Sequence, residues 1–219
     1  MSREIPIIFN GDMVRAILAG QKTQTRRPIN PAPMMITDSS AVPWEGDPET
    51  LAKLLKKSGK ACPFGQPGDL LWVRETWSQI DDTEFGGERW IDYRATPKYP
   101  ESSGRRPAGW DDEPENTPLR WRQSIHMPRW ASRILLRVTA VRVERVQDLS
   151  EQDAMAEGVT EMMFHPGRCL SQCASGISFP SAISAYRDLW ESIYGNWDVN
   201  PWVWVVEFER ATDSKQEAA

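Results

Sequence analysis

The chain has 219 residues, 40% of them hydrophobic and 26% charged, with a formal net charge of −5, as in an ordinary soluble globular domain. The acidic balance argues against a protein that coats long nucleic acid by neutralising phosphates, but is compatible with a small base-containing ligand. No apolar run approaches the roughly 20 residues that span a bilayer.

The opening MSREIPIIFNGD lacks the basic stretch and apolar core of a secretory signal. Three cysteines do not make a disulfide framework, so a cytoplasmic protein is expected. Eleven Trp and 17 Pro point to an aromatic-rich fold with long, punctuated loops.

In chain order, Ile5–Phe9 reads as a short strand. Asn10 or Asp12 caps a helix whose Met13, Val14, Ile17 and Leu18 form one apolar stripe, and Gly20 ends it. Lys22–Arg27 reads as a strand stopped by Pro28. A helix is expected near Glu49–Lys57, with Leu51, Leu54 and Leu55 on one face. Leu70–Trp77 follows a Pro67-Gly68-Asp69 turn and reads as a strand. The polar stretch beyond it carries one short hairpin around Arg89–Arg94. Ile134–Val146 is β-branched and long enough for one strand or a bent pair. Ser150 caps a short helix closed by Gly158. Ser181–Tyr194 is amphipathic, with Ile183, Tyr186, Leu189, Trp190 and Ile193 at helical spacing. Trp202–Phe208 is the last strand.

Strands mixed irregularly with short helices indicate an α+β fold. A small mixed or antiparallel barrel flanked by helices suits this pattern, because closure removes exposed edges. A single domain over residues 1–210 is expected, with insertions at about 28–66, 78–124 and 159–178 and a polar tail at 211–219.

The segment Gly20-Gln21-Lys22-Thr23-Gln24-Thr25-Arg26-Arg27 sets an amine, hydroxyls and guanidinium groups at a helix-to-strand junction. Here the chain resembles the ASCH domain of the PUA-like superfamily, whose hallmark is Gly-x-Lys-x-x-Glu-x-Arg. Gly20, Lys22 and Arg27 match, whereas Thr25 stands where most members carry Glu. The small bacterial amidohydrolases of this superfamily that cleave N4-acetylcytidine also carry Thr there. Longer phage and prophage ASCH proteins are similar around Gly68–Trp77, Ile125–Arg133 and Asn200–Trp204.

The resemblance implies a PUA-like β-barrel and removal of acyl groups from N4-acylated cytosine nucleosides, with no cofactor. It assigns Thr25 as nucleophile, Lys22 as base and Glu157, in the short helix after the central strand, as proton carrier. A threonine hydroxyl needs a base to remove its proton. Lysine serves only where burial or nearby cations such as Arg26 and Arg27 lower its pKa. Residues three apart on an ideal strand face opposite ways. Lys22 and Thr25 therefore meet only if the turn after Gly20, or a bulge, changes the phase.

Further substrate-binding candidates are Arg27, Arg74, Glu75, Trp77 and Arg133. Arg74 and Glu75 read equally as an internal ion pair, and Trp77 as a stacking surface or a packing residue. Cys62, His165, Cys169 and Cys173 form a weaker alternative, an irregular Cys3His zinc set, and no metal is expected. The competing reading is a non-catalytic module that binds RNA through Arg120, Arg122, Arg129 and Arg133. A ribonuclease ranks lower, since no pair of histidines is placed for phosphate chemistry. A monomer or weak dimer is expected.

Overall fold

A computed structural model describes residues 2–36, 40–81, 89–98, 121–159 and 179–211. Strand β1 (Glu4–Ile8) leads into helix α1 (Gly11–Leu18), where the Asn10 side chain accepts from the Met13 N–H. Strand β2 (Gln24–Pro28) follows. Next come a two-stranded hairpin of β3 (Met34–Ile36) and β4 (Ala41–Pro43), which the sequence reading missed, and helix α2 (Pro48–Lys57).

The strand expected over Leu70–Trp77 is two. Strand β5 (Leu70–Arg74) stays in the main sheet, while β6 (Trp77–Asp81) turns away to pair with β7 (Arg89–Tyr93). The break falls at Glu75 and Thr76. The Glu75 carboxylate is claimed by Arg133, and the backbone N–H of Arg94 donates to Thr76 O. Strands β8 (Leu135–Arg145) and β9 (Trp202–Arg210), with helices α3 (Glu151–Ala156) and α4 (Ala182–Tyr194), complete the chain.

The main sheet has the order β1-β5-β8-β9-β2. Its β1–β5 pair is parallel and the other pairs are antiparallel. The fold is α+β, as expected from the irregular mixture. Backbone pairing does not close the five strands into a barrel among the described residues. Instead, an Arg27 guanidinium nitrogen on β2 donates to Ile8 O at the end of β1, across 2.7 Å. One side chain thus joins the two outermost strands.

Strand β9 is buried on both faces. Trp202, Trp204, Val206 and Phe208 pack with Ile7, Phe9, Val14, Ile17 and Leu71 in the larger core. Val203 and Val205 face α3 and α4 beside Ala154, Tyr186 and Trp190. A bulge between Val138 and Ala140 shifts the register of β8 against β9, which inverts the alternation along that strand. Leu136 and Val138 before it, and Val143 after it, therefore reach the same core. The same inversion puts Arg142 and Glu144 opposite Val205 and Val203, on the face that meets α3.

None of the described helices is long and apolar enough to cross a membrane.

Candidate functional site

Directly opposed residues of antiparallel strands share a face. Thr25 lies opposite Val206 and Arg27 opposite Trp204, so both point toward the larger core, whereas Arg26 lies opposite Val205 on the α3 side. Lys22 precedes the strand. Gly20 adopts φ +73°, and the N–H groups of Gln21 and Lys22 both donate to Ala16 O. This left-handed turn removes Lys22 from the strand alternation. Its ammonium lies 5.5 Å from the centroid of the Phe9 ring, and the Arg27 guanidinium carbon lies 5.5 Å from the same centroid. The turn thus makes the phase change that bringing Lys22 to the Thr25 face requires.

Glu157 arrives from α3. Ser150 and Asp153 form a reciprocal capping box at the start of that helix, and Glu157 caps its C-terminal end just before Gly158. At φ +93°, a Cβ on Gly158 would stand 2.9 Å from Ala16 Cβ and 3.2 Å from Lys22 Cβ. Only glycine lets the end of α3 lie this close against the α1–β2 turn. The Thr23 N–H donates to Ala156 O, fixing the approach.

The result is a buried ion cluster. Lys22 Nζ donates to Glu157 Oε2 at 2.8 Å, Glu157 O at 2.9 Å and Gln24 O at 2.9 Å, so all three ammonium protons are placed. Arg26 reaches Glu157 Oε1 at 3.4 Å, Glu144 Oε2 at 3.1 Å and Asp153 Oδ2 at 3.5 Å. Arg142 extends the cluster to Glu144, Glu207 and Asp153. Burial lowers the Lys22 pKa, and the adjacent Glu157 carboxylate opposes that shift. Arg27 and Arg26 add to the lowering, so the two arginines act in the expected sense but less strongly than desolvation.

Beside the cluster lies a cleft lined by Met13, Thr25, Glu157, Tyr186, Trp190 and Tyr194, with Arg26 and Arg27 in its wall. It encloses about 280 Å³, open solvent at its mouth included. Thr25 and Glu157 both line this cleft. Burial, reinforced by Glu157, raises the Tyr186 pKa well above its ordinary value, keeping a neutral phenol in the wall. The α4 contribution (Tyr186, Leu189, Trp190, Ile193 and Tyr194) was not foreseen. Its residues read as a plain amphipathic stripe, and periodicity does not reveal that one border of the stripe faces a cleft.

The structure pairs Lys22 with Glu157 and sets Thr25, Arg27 and Glu157 around one cleft whose lining does not include Lys22; the other candidates lie elsewhere. Glu75 and Arg133 form a two-pronged ion pair at 2.9 and 3.0 Å, with Arg133 3.9 Å from the centroid of the Tyr93 ring. Arg74 donates to the Met127 and Ile125 carbonyls. Trp77, expected as a possible stacking platform, is 1% exposed and packs with Met127 and Ala131. Trp130 lies edge-on to it. These four residues tie the β6–β7 hairpin to the segment before β8 and do not line the Thr25 cleft.

Cys62 is a buried free thiol whose pKa burial pushes up to about 11, the behaviour of a packing residue and not of a ready metal ligand. Its three companions at 165, 169 and 173 lie outside the described residues, among which no cluster of metal-ligating side chains occurs. The arginines considered for RNA are engaged within the protein. Arg129 pairs with Glu4, Arg133 with Glu75, and Arg122 lies over Trp77. Arg120 lies outside the described residues.

Comparison of the chain with protein-family models, with curated proteins and with solved structures finds no match.

Proposed function

We propose that the Thr25–Glu157 cleft is an amide-hydrolysing site for N4-acylated cytosine nucleosides, the activity that the sequence resemblance implies, within an ASCH-like, PUA-like domain. The observation that carries this reading is a convergence. Lys22 and Glu157, 135 residues apart in the chain, form a buried ion pair, and Thr25 shares a cleft with that carboxylate.

The pair also suggests how the two groups are armed. As an ammonium donating three hydrogen bonds, Lys22 cannot accept a proton. Transfer of one proton to Glu157 yields a neutral amine and a neutral carboxylic acid, a form that burial favours. The amine then takes the Thr25 hydroxyl proton as the oxygen bonds to the acyl carbon. The acid protonates the leaving cytosine amine as the C–N bond breaks, which restores the ion pair. Water then hydrolyses the acyl-threonine ester.

The test is release of cytidine from N4-acetylcytidine and a panel of other N4-acyl cytidines. Thr25→Val and Glu157→Gln should each lower kcat by about 100-fold or more, while Thr25→Ser retains measurable turnover. Full activity in Thr25→Val, or no turnover of any acylated cytidine by the unaltered protein, defeats the reading.

A further inference from the structure

Among the charged groups around the cleft, Arg27 differs from its neighbours. Lys22 is matched by Glu157, and Arg26 by Glu144, Asp153 and Glu157. Arg27 has no carboxylate partner among the described residues. It donates instead to two neutral acceptors, Ile8 O at 2.7 Å and Tyr194 Oη at 3.3 Å, and its Nε, like that of Arg26, is buried with no partner. Its guanidinium carbon lies 5.5 Å from the Phe9 ring centroid and 6.0 Å from that of Phe64.

A half-buried cation with a spare donor, held against aromatic rings and facing a cleft, is a poor structural staple. The backbone contact to Ile8 needs no charge, and an unmatched buried guanidinium nitrogen is costly. Both features become favourable once an acceptor carrying negative charge enters. Tyr194 adds to this. Its oxygen accepts from Arg27, which leaves its own proton for a second acceptor on the cleft side.

We propose that Arg27, with Tyr194, forms an anion-recognition point at the cleft, so that a ligand carrying a phosphate or carboxylate binds in preference to its neutral counterpart. This deepens the deacylase reading and rests on it only for what occupies the rest of the cleft. Phosphate and carboxylate present the same chemistry here. They would reach the site from opposite ends of the ligand, as a sugar phosphate or as an acid group on the acyl chain.

Binding distinguishes these and does not depend on turnover. Calorimetry would compare cytidine with cytidine 5′-monophosphate, and N4-acetylcytidine with N4-succinylcytidine. At least one anionic member should bind about 10- to 100-fold more tightly than its neutral counterpart, the range of one or two charge-assisted hydrogen bonds. The member that does so identifies the source. Arg27→Met, which keeps the contact with Phe9 and Phe64, should reduce that ratio to about one. Arg27→Lys retains charge without the fork, so it should keep an intermediate ratio, and it serves if the Met variant does not fold.

Equal affinities within both pairs, or a preference undiminished in the Arg27 variants, overturns the proposal. An Arg27-dependent anion preference in a protein that hydrolyses none of the acylated compounds would sink the deacylase reading and leave this one standing.

Discussion

The close approach of α3 to the α1–β2 turn can be tested with two glycines. Gly20 and Gly158 both adopt positive φ, at +73° and +93°. A Cβ on Gly20 would meet nothing within 4 Å, whereas one on Gly158 would meet Ala16 Cβ at 2.9 Å and Lys22 Cβ at 3.2 Å. Gly20→Ala should therefore cost only the backbone term, about 1–2 kcal/mol. Gly158→Ala adds overpacking against two side chains, another 1–3 kcal/mol, for a total of about 2–5 kcal/mol. For a chain of this size each kcal/mol lowers the thermal midpoint by roughly 2–4 °C. Urea denaturation gives the free energies directly, and thermal melts check them. Because Gly158 follows Glu157, its substitution should also depress cytidine release, more than Gly20→Ala does. Equal destabilisation by the two substitutions would refute the close packing that sets Glu157 against Lys22.

Lys22→Met leaves Glu157 with only Arg26 as a cationic partner, and should cost about 3–5 kcal/mol as the breaking of a buried pair. In a double-mutant cycle with Glu157→Gln, the combined cost should fall well short of the sum. Asp153 makes a pH prediction. Burial works to raise its pKa, but hydrogen bonds from Ser150 and Gln24, with Arg26 nearby, bring it to about 2 from an ordinary 3.8. Its stabilising contribution is therefore complete above pH 3.8 and is lost as pH falls toward 2. Asp153→Asn should flatten that part of the acid-unfolding profile, measured by circular dichroism. Trp77→Ala should cost about 3–5 kcal/mol with little change in KM for an acylated cytidine, since Trp77 is buried away from the cleft. A selective rise in KM without loss of stability would restore it as a ligand platform.

Much of the architecture is visible in local sequence. Asn10, Ser150 and Ser181 each cap a helix as side-chain acceptors, and that chemistry depends on residues three positions away. The paired Trp and Val alternation of Trp202–Phe208 marks a strand buried on both faces. By contrast, the apolar run Leu70–Val73 and the following Trp77 read as one strand, although Arg74, Glu75 and Thr76 interrupt them where the break falls. At that break the Glu75 carboxylate is held by Arg133, 58 residues along the chain.

Local periodicity and capping are enough to place most of the elements, and the resemblance of the Lys22–Arg27 motif to a family is what puts Lys22, Thr25 and Glu157 forward. Only the tertiary structure decides that Lys22 swings out of strand phase, and that Arg26 and Arg27 part to opposite faces, one neutralised and one not. It likewise decides that Trp77 is core. Short-range contacts follow from neighbouring residues, whereas charge compensation and burial depend on partners more than a hundred residues away, which β9, the Val138–Ala140 bulge and Gly158 bring together.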